Sequence, residues 1–163
     1  MKSLLLFFPA ILINAFAFSQ TDSSAPYFKT KLLPDFTLYT LDSVEFNQNM
    51  LDKTKSTIIM LFNTECDHCQ HQLETLLSIP RVSQNAQIIL SSIEPLGKNR
   101  IFYNKNHLEK YPFVHLGKDY KYFFGGYYRP NTIPVLALYN NQKQLVLFNQ
   151  GHTKKKQILE ALQ

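Results

Sequence analysis

The stretch Asn63-Thr64-Glu65-Cys66-Asp67-His68-Cys69-Gln70 holds the only two cysteines of a 163-residue chain, three positions apart. Ahead of it, Ser56-Thr57-Ile58-Ile59-Met60-Leu61-Phe62 is a short apolar run with β-branched residues, the pattern of a buried strand. Behind it, Gln70 to Leu77 places Leu73, Leu76 and Leu77 on one helical face. The cysteines therefore lie where a strand ends and a helix begins. Two thiols at i and i+3 of a helix start point the same way and can bridge. The first lies among unpaired backbone N–H groups at the positive end of the helix dipole, which favours its thiolate. A bridge from Cys66 to Cys69 closes too short a loop to remove much chain entropy. The pair is expected to serve redox chemistry, not to staple the fold.

The N-terminus reads as a secretory leader. Lys2 gives a positive start, Leu4 to Phe18 is largely apolar, and Ala17-Phe18-Ser19 puts small residues at the positions a signal peptidase inspects. Cleavage is expected between Ser19 and Gln20, with Ala15-Phe16-Ala17 as the second choice. The rival is an uncleaved anchor, but Pro9 and Asn14 interrupt a stretch shorter than the roughly 20 residues a spanning helix needs. No cysteine lies near the cut, so lipid attachment there is excluded, and no later stretch is apolar enough to span a membrane. An exported, periplasmic location follows. Residues 1–19 are thus assigned to a signal peptide, 20–31 to a flexible lead-in and 32–163 to one domain.

The formal net charge is +5, but the basic residues are scattered. Lys154-Lys155-Lys156 forms a run at the start of an expected terminal helix and reads as a solvated face, so no nucleic-acid partner is expected. Residues 34–41 alternate as a strand, Asp42-Ser43 turns, and 44–46 returns as a second strand. A short helix capped by Asn47 is expected to follow, then the strand 57–62 and a helix from about Cys66 to Ser78, stopped by Pro80. Residues 86–91 read as a strand, 98–110 as a helix, 113–116 as a strand, and 119–124 as a short helix ended by Gly125-Gly126. Residues 133–139 and 144–149 make the clearest hairpin, and 154–162 a terminal helix. Strands alternating with helices and closed by a hairpin imply one α/β domain with a mixed sheet.

A strand, Cys-x-x-Cys at the next helix start, a distant Thr132-Ile133-Pro134 opening a hairpin, and Gly151 before the last helix together resemble the thioredoxin superfamily. With the leading hairpin around Leu33-Pro34-Asp35-Phe36-Thr37-Leu38, the leader and the extra strand–helix segment, the chain is most similar to the TlpA/ResA-like branch. The resemblance covers about Leu32 to Leu162. It implies a thioredoxin-like fold, a central mixed β-sheet flanked by helices, with an N-terminal β-hairpin extension. It implies that Pro134 is a cis-proline beside the two sulfurs and that Ile133, with Thr132, presents backbone groups to an extended substrate. It also implies disulfide exchange with cysteine-bearing proteins, apocytochrome c among them. The direction the resemblance implies is reduction, with electrons from a membrane-bound or exported redox partner, since no cofactor motif is present.

Three positions depart from that pattern. Glu65 stands where the family usually has tryptophan. Gln72 replaces a glutamate three residues after the second cysteine, and Met60 replaces an aspartate six residues before the first. Neither inherited proton acceptor can be assigned, which leaves water, His68 or Glu74. Cys66 is expected to attack and Cys69 to resolve. His68, when protonated, favours the Cys66 thiolate, whereas Asp67 and Glu65 oppose it. The pair is placed in the middle of the roughly −270 to −120 mV spanned by such dithiols. Haem attachment is rejected because Gln70 follows Cys69, and peroxidase chemistry because Asn63 stands three residues ahead of Cys66. The alternative is a metal chaperone holding Cu(I) or Zn(II) with Cys66, Cys69, His68 and His71, or a redox-sensing binding protein using the same thiols. His107, His115 and His152 read as ordinary residues. The aromatics from Tyr120 to Tyr128 read as core and rim, or as a substrate-binding lip beside Pro134.

Overall fold

The computed structural model describes residues 24–162; the expected leader lies outside them. Seven strands form one sheet in the order β2-β1-β5-β4-β3-β6-β7: β1 Thr37–Tyr39, β2 Glu45–Asn47, β3 Ser56–Leu61, β4 Ala86–Ser92, β5 Val114–Lys118, β6 Val135–Tyr139 and β7 Leu145–Gln150. Strands β3, β4 and β5 run parallel, and β6 lies antiparallel against β3. The centre is buried on both faces, which is why β3 and β4 carry unbroken apolar runs, Ile58–Leu61 and Ile88–Leu90, and do not alternate. Ile58 and Met60 pack into one core layer and Ile59 and Leu61 into the other. Each such side chain, fully buried, contributes about 1.5–3 kcal/mol.

Helices α2 (Asp67–Leu77), α3 (Pro80–Asn85), α4 (Leu96–Lys105) and α6 (Lys155–Ala161) add side chains to the Met60 layer. The short helices α1 (Pro26–Thr30) and α5 (Phe123–Tyr128) add theirs to the opposite layer. The expected leading hairpin is present as β1 and β2, with Leu38 opposite Phe46, and Tyr39 joins it to Lys118 of β5. The close approach of β1 to β5 needs Gly117, where a Cβ would fall 2.7 Å from Leu38 Cβ. Asn47 caps the turn of 3-10 helix that follows, accepting the Asn49 N–H at 3.0 Å. Among the described residues no helix is long and apolar enough to cross a membrane.

Within the stretch 20–31, residues 26–30 form α1, whose Tyr27 is buried and stacks on Phe148 at 4.1 Å. Three local expectations are corrected. Pro80 does not simply stop a helix but opens α3 at its first position, where its missing N–H costs nothing. The helix expected over 98–110 ends at Lys105, because His107 is left-handed (φ 50°), and a separate 3-10 turn covers Leu108–Lys110. The helix expected over 119–124 lies at 123–128 and runs through Gly125-Gly126. Asp119 is its cap and not its first turn, accepting the N–H groups of Phe123 (3.0 Å) and Phe124 (2.9 Å). Phe124 and Tyr128, one turn apart, bury its inner face.

Candidate active site

β3 ends at Leu61 in the middle of the sheet, and α2 starts six residues later at Asp67. Between them, residues 63–66 form a pinned turn. The Asn63 side chain accepts the Glu65 N–H at 2.8 Å and its carbonyl accepts the Cys66 N–H at 3.2 Å. Cys66 is the N-cap of α2 and is joined to Cys69 by a disulfide, with the two Cα atoms 5.2 Å apart. The Cys69 N–H donates to Cys66 Sγ at 3.1 Å. A side-chain oxygen usually fills that capping role, and here a sulfur does. In the reduced pair the same N–H and the helix start would hold a Cys66 thiolate. Cys66 is half-buried and Cys69 fully buried. Attack from outside is therefore open to the first sulfur and closed to the second.

The register of β3 against β6 brings the second loop alongside. Leu61 pairs with Val135, so Pro134 and Ile133 leave the sheet where Phe62 and Asn63 leave it. The Ile133–Pro134 peptide is cis. Pro134 is buried, with its carbonyl accepting the Gly151 N–H at 2.7 Å; Ile133 is half-buried against the core cluster that also contacts Cys66, and Thr132 is exposed. Gly151 takes φ 82°, which a side chain would resist.

Charges around the pair are arranged less symmetrically than the sequence suggests. Asp67 and His68, the first helical residues, are exposed. Glu65 is exposed but paired with Lys98 of α4 at 2.8 Å. The same ammonium lies 3.3 Å from Glu94, whose side chain is only 10% exposed. Glu94 Oε2 accepts both the N–H (2.7 Å) and the hydroxyl of Thr64. Burial pushes the Glu94 carboxyl up, but the two Thr64 bonds and Lys98 outweigh it and hold the carboxyl below its usual range. Glu94 was not singled out in the sequence. The signal available there was the i,i+4 spacing of Glu94 and Lys98; the tie to Thr64 spans thirty positions and leaves no local trace.

Gln72, at the position where the resemblance leads one to look for an acid, is fully buried one turn after Cys69. Its Oε1 accepts the Thr153 N–H at 2.6 Å, and its Nε2 donates to the Thr153 carbonyl at 3.4 Å. The amide thus clamps α2 to the loop before α6. Met60, the other departure, shares the apolar cluster of Cys69 and Leu73. The clamp also sets the next residues side by side: the His71 and His152 rings stack at 4.9 Å. Burial, then the neighbouring His71, His68 and Lys154, push the His152 imidazole down, which favours its neutral form. His152 therefore belongs to the surroundings of the redox pair, which its position in the sequence did not reveal. Glu74 turns outward to His71 (3.7 Å) and Gln70 (3.2 Å). Among the described residues no three His, Cys, Asp or Glu side chains are placed to hold a metal ion.

No protein-family profile and no curated protein matches the chain. Solved structures do. A secreted Mycobacterium tuberculosis disulfide oxidoreductase homologous to Escherichia coli DsbE superposes with a TM-score of 0.63 at 15% identity, over 78% of this chain and 93% of its own. A putative thiol:disulfide interchange protein DsbE from Chlorobium tepidum gives 0.64 at 18% identity, over 82% and 96%. The exposed lipoprotein thioredoxin Etrx1 of Streptococcus pneumoniae gives 0.59 at 17% identity, over 79% and 98%. At these identities the likeness shows the fold: the chain has a thioredoxin-like fold, a mixed sheet flanked by helices, with a Cys-x-x-Cys pair at the start of α2.

Proposed function

We propose that this chain of thioredoxin-like fold is an exported thiol–disulfide oxidoreductase of the TlpA/ResA-like branch, acting on cysteines of other proteins, with reduction as its direction. The observation that carries the reading is the Cys66–Cys69 disulfide at the N-terminus of α2, one sulfur reachable and one buried, beside the Ile133–cis-Pro134 loop. In the forward step the Cys66 thiolate attacks one sulfur of a substrate disulfide. A Cys66–substrate disulfide forms and the substrate's other sulfur leaves as a thiolate. Cys69, deprotonated, then attacks Cys66 Sγ, restoring the intramolecular disulfide and releasing the second substrate thiol. Two electrons pass to the substrate, and an exported or membrane-bound dithiol partner must return them. The cis-proline loop supplies backbone groups from Thr132 and Ile133 along which an extended substrate can lie. Export rests on the leader read at residues 1–19 and on two fold neighbours, one secreted and one an exposed lipoprotein.

The test is insulin reduction under dithiothreitol with the wild-type chain, Cys66→Ser and Cys69→Ser. Wild type should turn over, Cys66→Ser should be inactive, and Cys69→Ser should accumulate a mixed disulfide on Cys66. Turnover retained by Cys66→Ser would overturn the assignment. The direction is tested by equilibration with glutathione buffers, where a midpoint near the oxidising end at roughly −120 mV would rule out a reductase.

A further inference from the structure

The cis-proline loop is fastened at both ends by consecutive residues at the end of β7. Ahead of Thr132, the Asn131 N–H donates to Gln150 Oε1 at 2.8 Å. Behind Ile133, the Pro134 carbonyl accepts the Gly151 N–H at 2.7 Å. Between these two fastenings, Thr132 and Ile133 make no backbone–backbone hydrogen bond among the described residues. Their peptide groups are held in place yet left for another chain to use.

The fastening residues are themselves held, and the hold leads to the redox helix. Asn149 lies opposite Leu136 in the pairing of β6 with β7. Its Nδ2 donates to the Gly151 carbonyl at 3.2 Å, the His152 carbonyl at 3.2 Å and Thr153 Oγ1 at 3.1 Å. The two hydrogens of one amide, shared among three acceptors, fold residues 151–153 back over the strand end. Thr153 is in turn bonded through its N–H and its carbonyl to Gln72, one turn after Cys69. Hydrogen bonds therefore run without a break from α2 through Thr153 and Asn149 to Gly151 and Pro134. The ladder from Val135 to Tyr139 already joins β6 to β7, so strand pairing does not require these side-chain bonds. What they add is the placement of the loop relative to the dithiol.

We propose that Asn149 and Gln150 are positioning residues for disulfide exchange. They set the peptide groups of Thr132 and Ile133 at the height of Cys66, where an extended substrate can bond to them while its sulfur meets Cys66. The inference rests on the redox reading above and names what fixes its substrate geometry. Neither side chain carries a charge or bonds to a sulfur, so each acts through the loop and not through the pair.

The test compares wild type, Asn149→Ala and Gln150→Ala on two substrates, with dithiothreitol as reductant. One is an extended peptide carrying a single cysteine as its mixed disulfide with mercaptoethanol. The other is bis(hydroxyethyl) disulfide, which has no peptide groups to lay along the loop. Each peptide kcat/KM is divided by that of the same protein on the small disulfide, so a change in the pair or in the folded fraction cancels. In both variants this ratio should fall about ten-fold, the worth of one well-placed peptide hydrogen bond. The fall should lie in the peptide KM, because the loop binds the chain and does not take part in sulfur exchange. Should Asn149→Ala fail to fold, Gln150→Ala gives up a single bond to the exposed Asn131 and carries the test alone. A wild-type ratio in Gln150→Ala, or a fall confined to kcat, would overturn the proposal and leave the redox reading standing. Failure of wild type to turn over either disulfide would remove the redox reading and the positioning role with it.

Discussion

Replacing Gln72 by glutamate puts an ionisable group where the structure leaves it almost no water. The side chain is fully buried, with the Thr153 N–H at 2.6 Å on Oε1 and the Thr153 carbonyl at 3.4 Å from Nε2. A neutral carboxyl can keep both bonds, its hydroxyl donating where the amide did. An ionised one keeps the first, loses the second and sets a negative oxygen against the carbonyl. Full burial raises a carboxyl by up to about 3–5 pK units, and the Thr153 N–H offsets part of this, so a rise of about two from 4.3 is expected. The sign follows from linkage. The folded protein binds the proton more tightly than the unfolded chain, so stability is lost as pH rises from about 4.3 through the folded-state pKa. At about 1.4 kcal/mol per unit, the substitution should cost little near pH 4 and about 2–3 kcal/mol by about pH 8.

Urea melts of oxidised wild type and Gln72→Glu, paired at each pH, measure this difference directly. The same variant should reduce insulin several-fold faster near pH 7. The new carboxyl lies one turn from Cys69 and would then titrate close to the working pH, where general base catalysis is most effective. A stability difference that stays flat from about pH 4 to about pH 8 would refute the reasoning, because it would mean the site is wet. A pH slope without faster turnover would keep the burial argument and show that deprotonation of Cys69 does not limit the rate.

Two other substitutions test the surroundings of the pair. Glu94→Gln should destabilise the chain by about 1–3 kcal/mol at pH 7, since it weakens two bonds to Thr64 and leaves Lys98 with Glu65 alone. Because the Glu94 carboxyl is held below its usual range, its contribution is present above pH 4.5 and is lost as pH falls through the folded-state value. The variant and wild type should therefore converge in acid, and melts that stay apart would argue against the charge. His115 stacks on Phe46 at 4.9 Å and burial pushes its imidazole down, so wild type should lose stability as pH falls below about 6.5. His115→Phe should flatten that slope by at most about 1.4 kcal/mol per pH unit, leaving the part due to His152, and an unchanged slope would show that His115 is not the group responsible.

The strands and the redox helix were legible because burial writes itself into local pattern. A strand covered on both faces carries an unbroken apolar run at its centre, and β3 and β4 could be read almost to the residue. α5 was misplaced because its start is set by the Asp119 carboxylate, four residues from the first N–H it caps, and its interior glycines looked like a stop. α1 was missed for a different reason. A five-residue helix has too little sequence to show a period, and what fixes it is Tyr27 against Phe148 and Tyr128, more than a hundred positions away.

The same divide between local and distant partners runs through the site. Cys66 and Cys69 were legible because their chemistry needs only one another and a helix start. The residues around them answer to partners on other elements: Glu65 to Lys98, Thr64 to Glu94, Gln72 to Thr153, His71 to His152. Counted in sequence, Glu65 and Asp67 are two charges opposing a thiolate. In the fold one of them is shared with an ammonium that also serves Glu94, and the cysteine sulfur accepts a backbone N–H. Stabilising the Cys66 thiolate favours the reduced pair and moves the potential toward the oxidising side. Removing Lys98 would free Glu65 and reverse part of that shift. Lys98→Met should therefore make the Cys66–Cys69 pair more reducing when equilibrated with glutathione buffers, and an unchanged midpoint would refute a coupling through α4.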